Sequence, residues 1–339
     1  MDFSRRLALI FFLTLALGAA MFLALGAGEY AIDSADVFRY LWARLANHSL
    51  EGFSRVQEVI IWRLRTPRML LALGAGLALA VSGVAYQGCF RNPLVEPYIL
   101  GVSSGAACGA ALAIVYPSFF PQSQINAFVF ALAAVSLAYF LARRRGEAPT
   151  VTLALSGIIV GSLFSAAVGI MKYLSDDAQL REITFWMMGG LHYATWDAAV
   201  LNLVCAVPSF LVLWGMGWKL NLLALGDEES RSLGLNPPAA RLVAVLAATL
   251  MAAVAVSLTG IIAWVGLMMP HAARMLFGPD ARWVIPGAAL MGGVYLLVCD
   301  TLARTLTGAE IPIGIVTSIV GAPYLLWLLR AKSGGVYGV

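Results

Sequence analysis

Uncharged apolar runs long enough to cross a membrane recur along almost the whole chain, and nothing else restricts its fold as strongly. The first run, residues 7–28, holds 22 residues without Asp, Glu, Lys or Arg. About 20 apolar helical residues suffice to cross a hydrocarbon layer about 30 Å thick. Of 339 residues, 61% are hydrophobic and 12% charged, against about 25% charged in an ordinary soluble domain. That is apolar sequence for about eight to ten spanning helices, with little left over. A soluble enzyme and a receptor with a large ectodomain are excluded. The net charge of +4 sits on basic residues that set topology, and no nucleic-acid partner is expected.

The basic start MDFSRR before an apolar run has the outline of a secretory signal. The run exceeds the roughly 7 to 15 residues of a signal core, which predicts a retained helix with its basic end in the cytoplasm. Residues 29–68 contain Arg39, Arg44, Arg55, Arg63, Arg65 and Arg68 and read as an external loop with short helices. The remaining runs complete an all-α, polytopic membrane protein, a single transmembrane domain over 1–339. Its ten helices are placed at about 7–28, 69–90, 98–116, 125–142, 149–171, 198–218, 241–259, 261–277, 283–300 and 311–329. Gly260 is the expected break in the uncharged stretch 242–273, and SDDAQLREITFWMMGG at 175–190 reads as an interfacial helix. On this topology 13 of the 22 Lys and Arg lie in the cytoplasm with both termini, and nine lie outside.

Chemistry is conspicuous mainly by its scarcity. Cys89, Cys108, Cys205 and Cys299 stand singly in apolar stretches without metal-site spacing, and His48, His192 and His271 are far apart. Coupling to an ion gradient normally leaves carboxylates or His near mid-membrane. The spans show none, since Lys172, Asp300 and Arg304 lie at span ends, the last two spaced to pair on one helix face. Lys332-Ser333 is not preceded by a Gly-rich phosphate loop, so no nucleotide site is legible and any ATPase is a separate subunit. Crowded small residues, as in GVSSGAACGAALA at 101–113, fit a tight helical bundle, ligand contact, or both. LALAVSG at 77–83 echoes VAVSLTG at 254–260 in a span of opposite direction; an inverted repeat and chance both account for it.

RTPRMLLALGAGLALAVSGVAYQGCFRNPLVEPYILGVSSGAACGA at 65–110 resembles the FecCD-type permeases of bacterial ABC importers, which carry iron siderophores, haem, cobalamin or molybdate. Similar blocks follow in order: LREITFWMMGGL at 180–191, LALGDEESRSLGL at 223–235, GIIAWVGLMMPHAARMLFGPDARWVIP at 260–286 and IPIGIVTSIVGAPYLLWLL at 311–329. The resemblance implies a type II ABC importer permease in the bacterial inner membrane: a homodimer of ten-helix subunits with a pathway along the dimer axis. It also implies two cytoplasmic ATP-binding subunits, which use ATP and Mg, and a periplasmic substrate-binding protein. No cofactor, metal or catalytic residue is expected in this chain itself.

Carried over by residue, the family's cytoplasmic gate falls on Asn92, Pro93 and Leu94 and on Gly146, Glu147, Pro149 and Thr150. A rigid turn carrying an apolar plug closes a path without a charge, although an ordinary tight turn has the same composition. ATPase coupling falls on Gly226, Glu229, Arg231 and Gly234, in a stretch that composition alone reads equally as an exposed loop. Arg65, Arg68 and Arg304 match external arginines that meet acidic residues of the binding protein; snorkelling arginines are the alternative. The fifth and tenth helices would line the pathway, with Ser156, Ser162, Ser165, Thr317 and Ser318 as candidates, unless those hydroxyls bond to their own helix. A bulky metal chelate is favoured over an oxyanion, and Trp186, Met187 and Met188 suit either an apolar chelate or an interfacial helix.

Overall fold

The computed structural model describes residues 3–28, 30–46, 52–143 and 149–332. Helices dominate, and no strand occurs among the described residues. In chain order they are α1 Phe3–Gly26, α2 Ser34–Leu45, α3 Arg55–Glu58, α4 Thr66–Phe90, α5 Val102–Val115, α6 Ser123–Ala142, α7 Thr150–Leu174 and α8 Asp177–Met188. They continue as α9 Trp196–Gly215, α10 Gly217–Leu225, α11 Asp227–Ser232, α12 Pro237–Thr259, α13 Val265–Phe277, α14 Ala281–Ala303 and α15 Ile313–Lys332. Among the described residues, seven helical stretches are long and apolar enough to cross a membrane, and Val102–Val115 and Ile313–Trp327 are shorter apolar helices. The chain is a multi-pass membrane protein.

The region expected to be an external loop is more ordered than its charge suggests. α3 runs through a π-helical segment, Val59–Arg65, into α4 without a break. The resulting stretch of 36 residues is about 54 Å long at 1.5 Å per residue, so it projects well beyond a bilayer about 30 Å thick. Gly260 does end α12, with φ +70°, and 175–190 does form α8. That helix opens with a reciprocal cap in which the Gln179 N–H reaches Asp176 Oδ1 at 2.8 Å and the Asp176 N–H reaches Gln179 Oε1 at 3.2 Å.

α4 is the hub, packed against α9, α12, α13 and α14. Lipid is as apolar as leucine, so these helices associate through close packing, which small residues permit. A Cβ on Gly76 would stand 2.2 Å from the Gly292 carbonyl oxygen of α14, and one on Gly83 would stand 1.9 Å from that of Gly266 in α13. The echo at 77–83 and 254–260 has a structural counterpart. In each half a long helix (α4, α12) is followed by a short one (α5, α13) and then two more helices (α6 and α7, α14 and α15). α4 packs on α14 as α12 packs on α6.

The short helices are short because the chain enters them from within the molecule. Pro97 sits against Gly266, its Cδ 2.4 Å from where a Cβ would stand. Gly266 in turn faces Gly83, about 10 Å along α4 from Phe90. Residues 91–101 therefore re-enter the bundle, and Glu96 goes with them. Glu96, which belongs to no span, is half-buried there.

Candidate functional site

At the end of the molecule where α4 stops, Arg91 takes the left-handed conformation, φ 51°, and the Asn92 N–H closes on the Gln87 carbonyl at 3.3 Å. The Asn92 side chain then accepts the Leu94 N–H at 2.9 Å, an Asx turn across Pro93. Asn92, Pro93 and Leu94 are exposed, and Leu94 shows 57% of its surface. An apolar tip on a turn stiffened by proline and an Asx bond is the arrangement a dry constriction needs. Pro149 and Thr150 open α7; Gly146 and Glu147 lie outside the described residues.

The α10–α11 corner lies beside this turn. A Cβ on Gly226, which has φ +132°, would stand 2.3 Å from Glu229 Oε2 and 3.4 Å from an Arg91 guanidinium nitrogen. α11 is pinned from beneath. The Asp227 carboxylate accepts Arg241 Nη2 at 2.6 Å, and the buried Ser230 hydroxyl donates to the Leu222 carbonyl at 2.7 Å. Glu229 and Arg231 are exposed, and Gly234, φ +83°, ends the corner. A cleft of about 280 Å³ joins Asn92, Pro93, Asn221 and Arg274. The two sequence stretches singled out at this end thus meet in space.

Asp280, at the same end, caps α14. Hydrogen bonds from Arg282 first, then from Asn221, hold its carboxyl well below the usual range, at about 2. Arg6 approaches it at 4.0 Å and lies over Trp283, which fixes the start of α1.

At the opposite end the three predicted arginines form a closed set. Asp300, 1% exposed, lies between Arg68 Nη2 at 2.9 Å and Arg304 Nε at 3.5 Å, and Arg68 also binds Glu310 at 2.7 Å. Arg65 donates to the Leu25 and Gly26 carbonyls at 2.7 and 3.0 Å, and Arg304 to the Ala27 carbonyl at 2.6 Å and to that of Ala24. A helix leaves its last carbonyls without intrahelical donors. Two guanidinium groups supply them for α1, a role that the spacing of the arginines did not reveal. A cavity of about 550 Å³ opens among Arg65, Arg68, His192, Arg304 and Glu310. Burial pushes the His192 imidazole below its ordinary value.

The pathway candidates divide. Ser162 and Ser165 lie on the exposed side of α7, with the Ser162 hydroxyl returned to the Ile158 carbonyl at 2.9 Å. Ser318 is half-buried and bonds to the Gly314 carbonyl at 2.7 Å. Ser156 and Thr317, at 7% and 0% exposure, are buried within the protomer. No cluster of His, Cys, Asp and Glu suited to a metal occurs among the described residues, and Cys89, Cys108 and Cys299 are buried free thiols.

With this geometry the chain resembles known transport proteins over nearly its full length. It is 42% identical over 315 residues to the hemin transport system permease protein HmuU of Yersinia pestis, covering 91% of each chain. It is 35% identical over 330 residues to the molybdate import system permease protein MolB of Haemophilus influenzae, covering 97% of each. A solved structure described as an inward-facing conformation of a metal-chelate type ABC transporter superposes with TM-score 0.85 at 34% identity, covering 96% of this chain and 99% of that one. The model of the FecCD transport family matches residues 15–331, and the chain belongs to that family.

Proposed function

We propose that this chain is the membrane-spanning subunit of an ATP-driven importer that moves a metal chelate inward across the bacterial inner membrane by alternating access. Two copies enclose the pathway, each crossing the membrane ten times with both termini in the cytoplasm. Two separate subunits hydrolyse ATP with Mg, and a periplasmic protein delivers the substrate. The observation that carries this reading is the meeting, at one end of the bundle, of an exposed apolar turn with an exposed, internally braced helix. Asn92, Pro93 and Leu94, with Gly146, Glu147, Pro149 and Thr150, form the inner gate. Gly226, Glu229, Arg231 and Gly234 form the corner on which an ATPase docks, and closure of the ATPase pair reaches the turn through Gly226, which both Glu229 and Arg91 approach.

Arg68 is the arginine best suited to meet an acidic loop of the delivering protein, because its partner Glu310 is on the rim, with 47% of its side chain exposed. Arg65 and Arg304 serve that contact indirectly, by holding α1 and Asp300 in place. Ser162, Ser165 and Ser318 line the path.

Haem is the first substrate to test, given the relative that is 42% identical; molybdate, named for a relative at 35%, is the contrasting oxyanion. Proteoliposomes holding the chain, its ATP-binding subunits and its binding protein are expected to accumulate haemin only with ATP. Accumulation by the chain alone, driven by an ion gradient, would overturn the proposal. Glu229→Lys combined with Arg231→Glu is expected to leave the protein inserted and ATP hydrolysis running while uptake stops; unchanged uptake removes the coupling assignment.

A further inference from the structure

The turn at 92–95 is held by more than its own hydrogen bonds. Gln87, 3% exposed on the last turns of α4, uses both amide hydrogens, one on the Val95 carbonyl at 3.2 Å and one on the Gly266 carbonyl at 3.3 Å. Its oxygen accepts Arg274 Nη2 at 2.6 Å. The Gly266 carbonyl needs such a donor. Its helical partner would be residue 270, which is Pro270 and has no N–H. Gly83, one turn earlier on the same face of α4, lets that carbonyl approach. The segment beyond the turn is tied to the same place, since the Tyr98 hydroxyl donates to the Ile262 carbonyl.

We infer that Gln87, oriented by Arg274, is the positioning residue that fixes the turn at 92–95 to α13, so that turn and helix move as one body when the transporter changes state. The inference rests on reading that turn as the inner gate. Only a carboxamide can do this, because it offers two donors and an acceptor on one plane. A carboxylate at position 87 would keep Arg274 but face two carbonyl oxygens with no hydrogen to give, and a thioether would remove the donor from both the Val95 and the Gly266 carbonyls. The Val95 and Gly266 carbonyls belong to different halves of the repeat. Gln87 thus joins the re-entrant segment of the first half to the broken helix of the second, and motion of α13 reaches Leu94 without an intervening hinge.

The test places nitroxides on Leu94→Cys and Met275→Cys, Met275 being an exposed residue of α13, in a chain freed of its native cysteines. Labelled chain is diluted with unlabelled chain, assembled with the ATP-binding subunits, and the distance read by pulsed electron paramagnetic resonance with and without a non-hydrolysable ATP analogue. One narrow distance, the same in both states, is expected with Gln87 intact. Gln87→Met and Gln87→Glu are each expected to broaden it at least about twofold and make it state-dependent. They are also expected to lower haemin uptake per ATP by about tenfold, the effect of weakening the tether by about 1.4 kcal/mol.

Gln87→Glu is the decisive variant, since a narrow, state-independent distance there would mean that Arg274 pairing alone suffices and would overturn the inference. Should either variant fail to assemble, Gln87→Asn keeps the amide but is too short to reach both carbonyls. It is expected to broaden the distance to a lesser degree, and an unchanged distance again overturns the role. Leu94→Ala separates this inference from the reading beneath it. Uptake unaffected by Leu94→Ala, together with a broadened distance in Gln87→Met, supports the tether and removes the gate. Lost coupling in Leu94→Ala with a fixed distance in Gln87→Met keeps the gate and removes the tether.

Discussion

Helices α4 and α7 are both 25 residues long and equally apolar in character, yet their surroundings differ completely. α4 is enclosed by four other helices and meets two of them through glycine-to-glycine contacts. About half of α7 is exposed, including Ser162, Ser165 and Gly169, and a Cβ on Gly169 would meet nothing within 4 Å. The contrast separates two tasks. A helix packed on all sides by backbone-to-backbone approach determines the fold, whereas a helix with open faces leaves them for lipid or a partner to cover.

The sharpest way to break this contrast is a matched pair of substitutions. Gly83→Val drives a side chain into the Gly266 carbonyl and is expected to abolish a monodisperse folded species, since overpacking of this severity exceeds the usual cost of about 1–3 kcal/mol. Gly169→Val on α7, with nothing within 4 Å, is expected to purify and melt like the parent. Equal damage from both would dissolve the distinction.

Asp300→Leu comes next, because it removes a buried carboxylate that pairs with both guanidinium groups, leaving Arg304 only its carbonyl partners and Arg68 only Glu310. A loss of about 3–5 kcal/mol, read as a lower Tm in detergent, is expected from breaking such a set. Ser165→Trp should leave Tm within the range of a surface change, about 0.5 kcal/mol, while reducing ATP-driven haemin uptake by at least about tenfold.

The smallest effect belongs to Asp280. Its carboxyl titrates at about 2 rather than at the ordinary 3.8, so its contribution is complete above 3.8 and disappears as pH falls toward 2. Because solvent screens this carboxylate, Asp280→Asn is expected to cost under about 1 kcal/mol near neutrality. A Tm difference that persists unchanged at pH 2 would contradict the assignment.

Much of this architecture is legible in the residues. Uncharged runs locate the long helices, Gly260 marks the break after α12, and the mixed charged and aromatic stretch at 175–190 announces α8. The packed faces are not legible, for a physical reason. In a membrane both the inside and the outside of a helix are apolar, so hydropathy has no period to reveal, and side-chain size carries the signal instead. That is why Ser156 and Ser162 look alike in sequence but occupy opposite environments.

The re-entrant segment was hidden in the same way. Pro93, Pro97 and Gly101 around an unusually short apolar run were the available signs, yet they read as the turn between two spans. Arg65 and Arg304 looked like rim charges because the carbonyls they satisfy, at the end of α1, are 40 and 277 residues or so away in the chain. Gln87 is an uncharged residue inside an apolar helix, and its role follows only from its place opposite the Gly266 carbonyl that Pro270 leaves without a helical donor.

The account's central claim is that the open face of α7 belongs to the path between two copies, and one residue tests it most directly. Ser165→Cys, in a chain without Cys89, Cys108, Cys205 and Cys299, is reconstituted with the ATP-binding subunits and exposed to a water-soluble methanethiosulfonate. The thiol is expected to react, haemin delivered by the binding protein is expected to slow that reaction, and the modified protein is expected to lose uptake. A thiol that reacts only with lipid-soluble reagents, in a protein that continues to import, would place α7 against the bilayer and contradict the account.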